Sequence, residues 1–289
     1  MARLFVSMML LLSFHAAAEQ PLTQEQALLW RITAPQQKVP SYLFGTIHSE
    51  DARVLELPPA VKQAFNESSR FVMEIVPDAA VSAQLNRRMM LPEHQPLSSL
   101  VGAELYEQTR AAMEKQGIPA EATERMKPWA LVMILSMPKP KSGHFLDEVL
   151  YDMALHSGKQ TGGLETPDEQ IDALDGLSMP VQIVLLRQTL EHYQEIPAIT
   201  ESLIDAWLRR DLVEMQRLGE ESNEGLPGDI EQLLQSRLID VRNRRMAERI
   251  TPMVKEGGVF VAVGALHLPG AQGLIALLRQ RGFSVQPVY

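Results

Sequence analysis

Cysteine is absent from all 289 residues. Its absence excludes disulfides, thiolate metal ligands, a cysteine nucleophile and lipid attachment through a lipobox. Stability must come from packing. Basic residues are also outnumbered: 27 Lys and Arg against 36 Asp and Glu leave a net charge of −9, which offers no basic face to nucleic acid and disfavours anionic lipid surfaces. The apolar stretch at residues 4–14 is too short to cross a bilayer, which takes roughly 20 apolar residues. With Arg3 before it and Ala16-Ala17-Ala18 after it, the stretch reads as a signal peptide over residues 1–18, to be removed on export. Loss of Arg3 then moves the net charge from −9 to −10. The expectation is a protein exported across the inner membrane to the periplasm, with no stable membrane insertion.

What remains has an ordinary globular composition, 45% hydrophobic and 22% charged, and residues 19–289 are long enough to bury one full domain. Within it one pattern occurs twice. Gly45-Thr46-Ile47-His48 follows Ser41-Tyr42-Leu43-Phe44, and Gly264-Ala265-Leu266-His267 follows Val259-Phe260-Val261-Ala262-Val263. Each is an apolar run that reads as a buried strand, closed by Gly-x-x-His. Glycine suits a point where the chain turns sharply or lets another group come close. Two imidazoles at two strand ends are a common basis for a metal site.

Further strands are expected at residues 28–33, pairing as a hairpin with the run before His48, and at residues 70–76, 160–165 and 283–288. Helical spacing dominates residues 79–157, and helices are also expected at 58–67, 167–174, 179–194, 200–221, 230–254 and 269–280,. Strand-bearing ends enclose a helical middle. The fold class is therefore α/β, with α+β as the variant, built on a central mixed sheet assembled from distant segments.

Glu74 interrupts the apolar run Val72-Met73-Glu74-Ile75, and Glu165 ends the strand after Gly163-Leu164. A carboxylate at a buried strand end must be paired, protonated or metal-bound. His48, His267 and these glutamates form a nitrogen and oxygen set suited to Mn, Co, Zn or Fe with a position left for water. Glu74 equally suits a buried ion pair with Arg242, an arrangement compatible with metal binding. The run Arg242, Arg244, Arg245 and Arg249 reads as a solvated helix face, and His94, His144, His156 and His192 read as structural.

Taken in order, these motifs resemble the TraB/GumN family, whose relatives include the TIKI metalloproteases. The two Gly-x-x-His motifs match at His48 and His267, the strand glutamate at Glu74, and Arg-Asn-x-x-Met at Arg242-Asn243-Arg244-Arg245-Met246. The mid-chain aspartate and the Leu-Glu strand end match at Asp147 and at Leu164-Glu165. The resemblance implies a compact α/β domain with pseudo-symmetric halves and a metal-dependent peptidase activity, as in the animal TIKI branch. His48 and His267 would then be metal ligands, Glu74 ligand or general base, and Arg242 with Asn243 transition-state or supporting groups. Glu165 and Asp147 are further candidates. The expected substrate is a peptide or small ester. The alternative is a non-catalytic periplasmic binding protein for a metal, haem or a signalling peptide.

Overall fold

The computed structural model describes residues 26–35, 37–139 and 144–289. The signal peptide expected over residues 1–18 lies outside the described residues. Six strands form a mixed sheet: β1 (Leu29–Thr33), β2 (Ser41–Thr46), β3 (Arg70–Met73), β4 (Gln160–Gly163), β5 (Val259–Gly264) and β6 (Ser284–Pro287), in the spatial order β4-β3-β5-β2-β1-β6. The four strands β4, β3, β5 and β2 run parallel, while β1 pairs antiparallel with both β2 and β6. The expected hairpin is β1 with β2, and all six expected strands are present.

All six β2 residues are buried, as are the first five of β5. Strands covered on both faces by crossover connections need such unbroken apolar runs. Phe260 of β5 lies at the centre of the core, with ring centroids 5.5 Å from Phe65 and 6.0 Å from Phe44. The parallel register sets Thr46 beside Gly264, so both Gly-x-x-His motifs leave the same edge of the sheet side by side.

The Gly-x-x-His glycines serve close approach rather than an unusual turn. A Cβ on Gly45 would stand 3.1 Å from the Cα of Ala265 in the second motif, and one on Gly264 would stand 3.3 Å from a Glu74 carboxylate oxygen.

Several element boundaries differ from expectation. Strand β3 stops at Met73, so Glu74 lies just beyond the ladder. The helix expected over residues 200–221 is two helices, Ile196–Leu208 and Leu212–Glu221. Arg210 turns the chain between them at φ 62°, and the Asp211 carboxylate accepts the Glu214 N–H at 3.0 Å to start the second,. Residues 230–254 are not one α-helix either: Gly228–Leu234 passes through a π-helical turn, Gln235–Asp240, into Val241–Glu256. The last helix begins at Leu274 rather than Pro269. Gly273 explains the delay, because its backbone folds against the carbonyls of Leu268 and Pro269 where no side chain fits.

Among the described residues, the helical middle expected over residues 79–157 holds six helices, from Ala79–Arg88 to Leu146–His156. Leu146, Leu150 and Ala154 of the last of these join the sheet core, but Leu97, Met113, Leu131 and Leu135 form a cluster apart from it with Leu186 of the helix Met179–Glu191. No helix among the described residues is long and apolar enough to cross a membrane.

Candidate active site

The carboxyl ends of the four parallel strands bring together residues scattered through the chain. Ligands of open parallel sheets bind at this edge. Glu74 leaves β3 there and is held on three sides: Oε1 accepts the Gly264 N–H at 2.7 Å, while Oε2 accepts Arg242 Nη2 at 2.5 Å and Gln170 Nε2 at 3.3 Å. Burial pushes the Glu74 carboxyl up, but the His267 ring, the Arg242 guanidinium and the Gly264 N–H outweigh it and leave the pKa below the usual range,. Glu74 is therefore an ionised carboxylate.

His267 lies behind it in a 3₁₀ turn, Ala265–His267, with its side chain 6% exposed. Asn243 Nδ2 donates to the Gln272 carbonyl at 2.8 Å, which orients the amide, so its Oδ1 faces His267 Nδ1 at 2.7 Å. Nδ1 must then carry the proton and Nε2 the lone pair. Burial pushes the His267 pKa down, against the pull of the Glu74 charge. The Nε2 lone pair faces Glu74 Oε1 at 3.7 Å. That is too long for a hydrogen bond, yet within the reach of two ligands that each stand about 2 Å from one ion.

His48 repeats the device on the more open side. Its side chain is 51% exposed, its Nδ1 lies 3.4 Å from Asp147 Oδ2, and its ring stacks on Phe145 at 3.8 Å. Asp147 is itself fixed by the Thr46 hydroxyl, which donates to Oδ1 at 2.6 Å. In both motifs Nδ1 is engaged by an oxygen acceptor and Nε2 is left as the electron-pair donor. His48, Glu74, Asp147 and Gln170 line one cavity of about 290 Å³.

Glu165 does not line this cavity. Its side chain is fully buried between Arg242, whose Nη2 is 2.6 Å away, and Arg245, whose Nη1 is 3.3 Å away. It acts on the site by fixing Arg242. The arginine run is thus not a solvated face: Arg242, Arg245 and Arg249 share one side of the helix and reach Glu74, Glu165 and Glu169, while Arg244 bonds Gln272. His156 bonds the Asp152 carbonyl and His192 pairs with Glu195. Gln170 was not expected at the site, because a glutamine in an acidic helix start carries no sequence signal that it will face a strand end 96 residues away.

Two imidazole Nε2 atoms and a carboxylate oxygen are the donor types that borderline divalent ions take, so the residues fit such an ion in donor chemistry. Among the described residues, however, no three His, Asp or Glu side chains stand close enough together to enclose one. The two nearest donors of the expected set are Glu74 and His267.

The fold and this edge define an α/β protein with a polar, carboxylate- and imidazole-bearing site at the ends of its parallel strands. The chain belongs to the TraB/PrgY/gumN family, which it matches over residues 28–287. It is 28% identical to "Metalloprotease TIKI2" of Danio rerio over 323 residues, covering 93% of this chain and 62% of the relative. It is also 28% identical to "Metalloprotease TIKI1" of Homo sapiens, covering 90% of this chain and 61% of the relative. A bacterial relative, "Uncharacterized protein YbaP" of Shigella flexneri, is 24% identical over 83% of this chain and 88% of its own length. The chain thus spans about three-fifths of the TIKI proteins it matches. No solved structure matches it.

Proposed function

We propose that this protein is an exported, metal-dependent hydrolase, a peptidase acting in the periplasm on a peptide or small ester. The observation that carries the proposal is the repeated arrangement of the two Gly-x-x-His histidines. In each, an oxygen acceptor holds Nδ1 and leaves the Nε2 lone pair as a donor, His267 by Asn243 and His48 by Asp147,. The similarity to TIKI metalloproteases supports the same assignment.

His48, His267 and Glu74 would hold the ion, which is Mn, Co, Zn or Fe. Bound there, a divalent ion polarises the scissile carbonyl and lowers the pKa of water. Arg242, Gly264 and Gln170 keep Glu74 ionised and oriented, so that it can take the proton of the attacking water. Asn243 fixes the His267 tautomer. Asp147 and Phe145 hold the His48 ring, and Glu165 with Arg245 fixes Arg242 from below.

The test is elemental mass spectrometry on protein loaded with each of the four metals, for the parent, His48→Ala and His267→Ala, with circular dichroism to verify folding. Near-stoichiometric metal in the parent that falls in both variants is expected. Hydrolysis of a peptide pool should then fall by about 100-fold or more in Glu74→Gln. Bound metal with no cleavage of any peptide or ester would favour the non-catalytic binding protein. A parent that takes up none of the metals would overturn the proposal.

A further inference from the structure

A second cavity, of about 440 Å³, opens one residue away from His267. The 3₁₀ turn buries His267 and points Leu266 the other way, where it is 37% exposed at the cavity wall. Leu234, Leu238 and Ile239 of the π-turn region and Ala271 of the following loop supply further apolar wall. Gly219, on the helix Leu212–Glu221, completes it: a Cβ there would be 3.6 Å from Leu266 Cδ1, so its missing side chain keeps the cavity open. Toward solvent the same cleft widens into a space of about 550 Å³ lined only by polar residues, among them Glu220, Glu231 and Asp240.

No Lys or Arg lines either part. Gln216 and Gln235 donate neutral amide hydrogen bonds to Glu220 and Asp240, and none of the three carboxylates forms an ion pair among the described residues. An apolar floor beneath uncompensated negative charge is complementary to a segment that carries an apolar side chain beside a cationic one.

We infer that this cleft is the substrate side-chain subsite: it takes an apolar residue of a peptide on its floor and an adjacent Lys or Arg at its rim. The inference rests on the hydrolase proposal; the cleft and the site meet at the Ala265–His267 turn, Leu266 facing the one and His267 the other. The cleft also communicates with the site through the chain itself. The Leu238 carbonyl in its wall accepts Arg242 Nη1, and the Gln272 carbonyl in its loop orients Asn243.

Three dye-labelled decapeptides test it by fluorescence anisotropy on the full chain, with mass spectrometry to verify that they stay intact. Their central pairs are Leu-Lys, Leu-Glu and Ala-Lys. The Leu-Lys peptide is expected to bind about ten-fold more tightly than either of the others. Gly219→Leu fills the floor and should abolish that advantage over Ala-Lys. The triple variant Glu220→Gln, Glu231→Gln, Asp240→Asn should abolish the advantage over Leu-Glu and keep the apolar one, which serves as the check should Gly219→Leu fail to fold. Equal affinity for the three peptides, preferences that survive both variants, or no binding up to about 1 mM would overturn the subsite. Binding as expected without cleavage would count against the hydrolase alone. Cleavage whose KM ignores both variants would count against the subsite alone.

Discussion

Asn243 has no exposed surface, and both ends of its amide are used. Asn243→Ala would leave the buried His267 ring nitrogen without its partner, at a cost of about 1–3 kcal/mol,. It should also weaken metal binding about 10- to 100-fold, because the imidazole tautomer is no longer held. Asn243→Asp keeps the acceptor toward His267 and should recover part of the metal affinity. Urea unfolding and metal titration read the two effects separately, and an alanine variant with parental affinity would rule out the tautomer role. Arg242 is the other pivot. It lies between the Glu74 and Glu165 carboxylates with its side chain 11% exposed, so Arg242→Met leaves two buried negative charges without it and should cost about 3–5 kcal/mol. Adding Glu165→Gln should return a good part of that loss. A double variant no more stable than Arg242→Met would show that the loss arises from packing instead.

At the scale of elements, the site is held together by pairing between helix Val241–Glu256 and helix Pro167–Asp175. Arg249 grips the Glu169 carboxylate with both terminal nitrogens, at 2.7 and 2.8 Å. The Arg249 hydrogen bonds, helped by the Thr166 N–H and the Arg245 charge, lower the Glu169 pKa from 4.5 to about 2. The folded-state pKa is below the unfolded one, so this contribution to stability is complete above the unfolded value of 4.5 and is lost as pH falls toward about 2,. Glu169→Gln should therefore lower Tm at neutral pH and leave it nearly unchanged at the acid end. A Tm difference of the same size at both ends would exclude the ion pair as its source. The π-helical turn belongs to this scale as well. Arg237, within it, reaches back to the carbonyls of Asp172 and Ala173 at the end of the Pro167–Asp175 helix, and π-turns of this kind occur often at functional sites.

At the scale of the molecule, the apolar residues do not form one continuous core. The sheet and the helices packed on it share a cluster from Ala27 to Val285, while smaller clusters form around Leu131 and Trp129 in the helical middle and around Leu185 and Ile230 beyond it. Smaller clusters open at lower free energy. Hydrogen exchange should protect β2 and β5 most strongly and release the helices Ala103–Gln116 and Pro128–Leu135 earlier, as a group. Equal protection of both regions would mean that the molecule opens only as a whole.

The local elements were legible in the chain because they rest on local physics. Unbroken apolar runs can only be buried strands or helices, and so the strand runs at residues 41–44 and 259–263 could be read directly, each with its histidine a few residues beyond. Glu74 could be read as a buried charge needing a partner, and Arg242 as one suited partner. Hydropathy says nothing of neighbours, and here tertiary packing decided. It set β5 between β3 and β2, turned the arginine face inward onto Glu165 and Glu169, and brought Asn243 to His267 across 24 residues. It also broke two helices that periodicity alone would continue, since the Asp211 cap and the docking of Arg237 outweigh a few tenths of a kcal/mol of helix propensity per residue. The residue types of the site follow from the sequence; their convergence at one sheet edge follows only from the order in which distant strands pair.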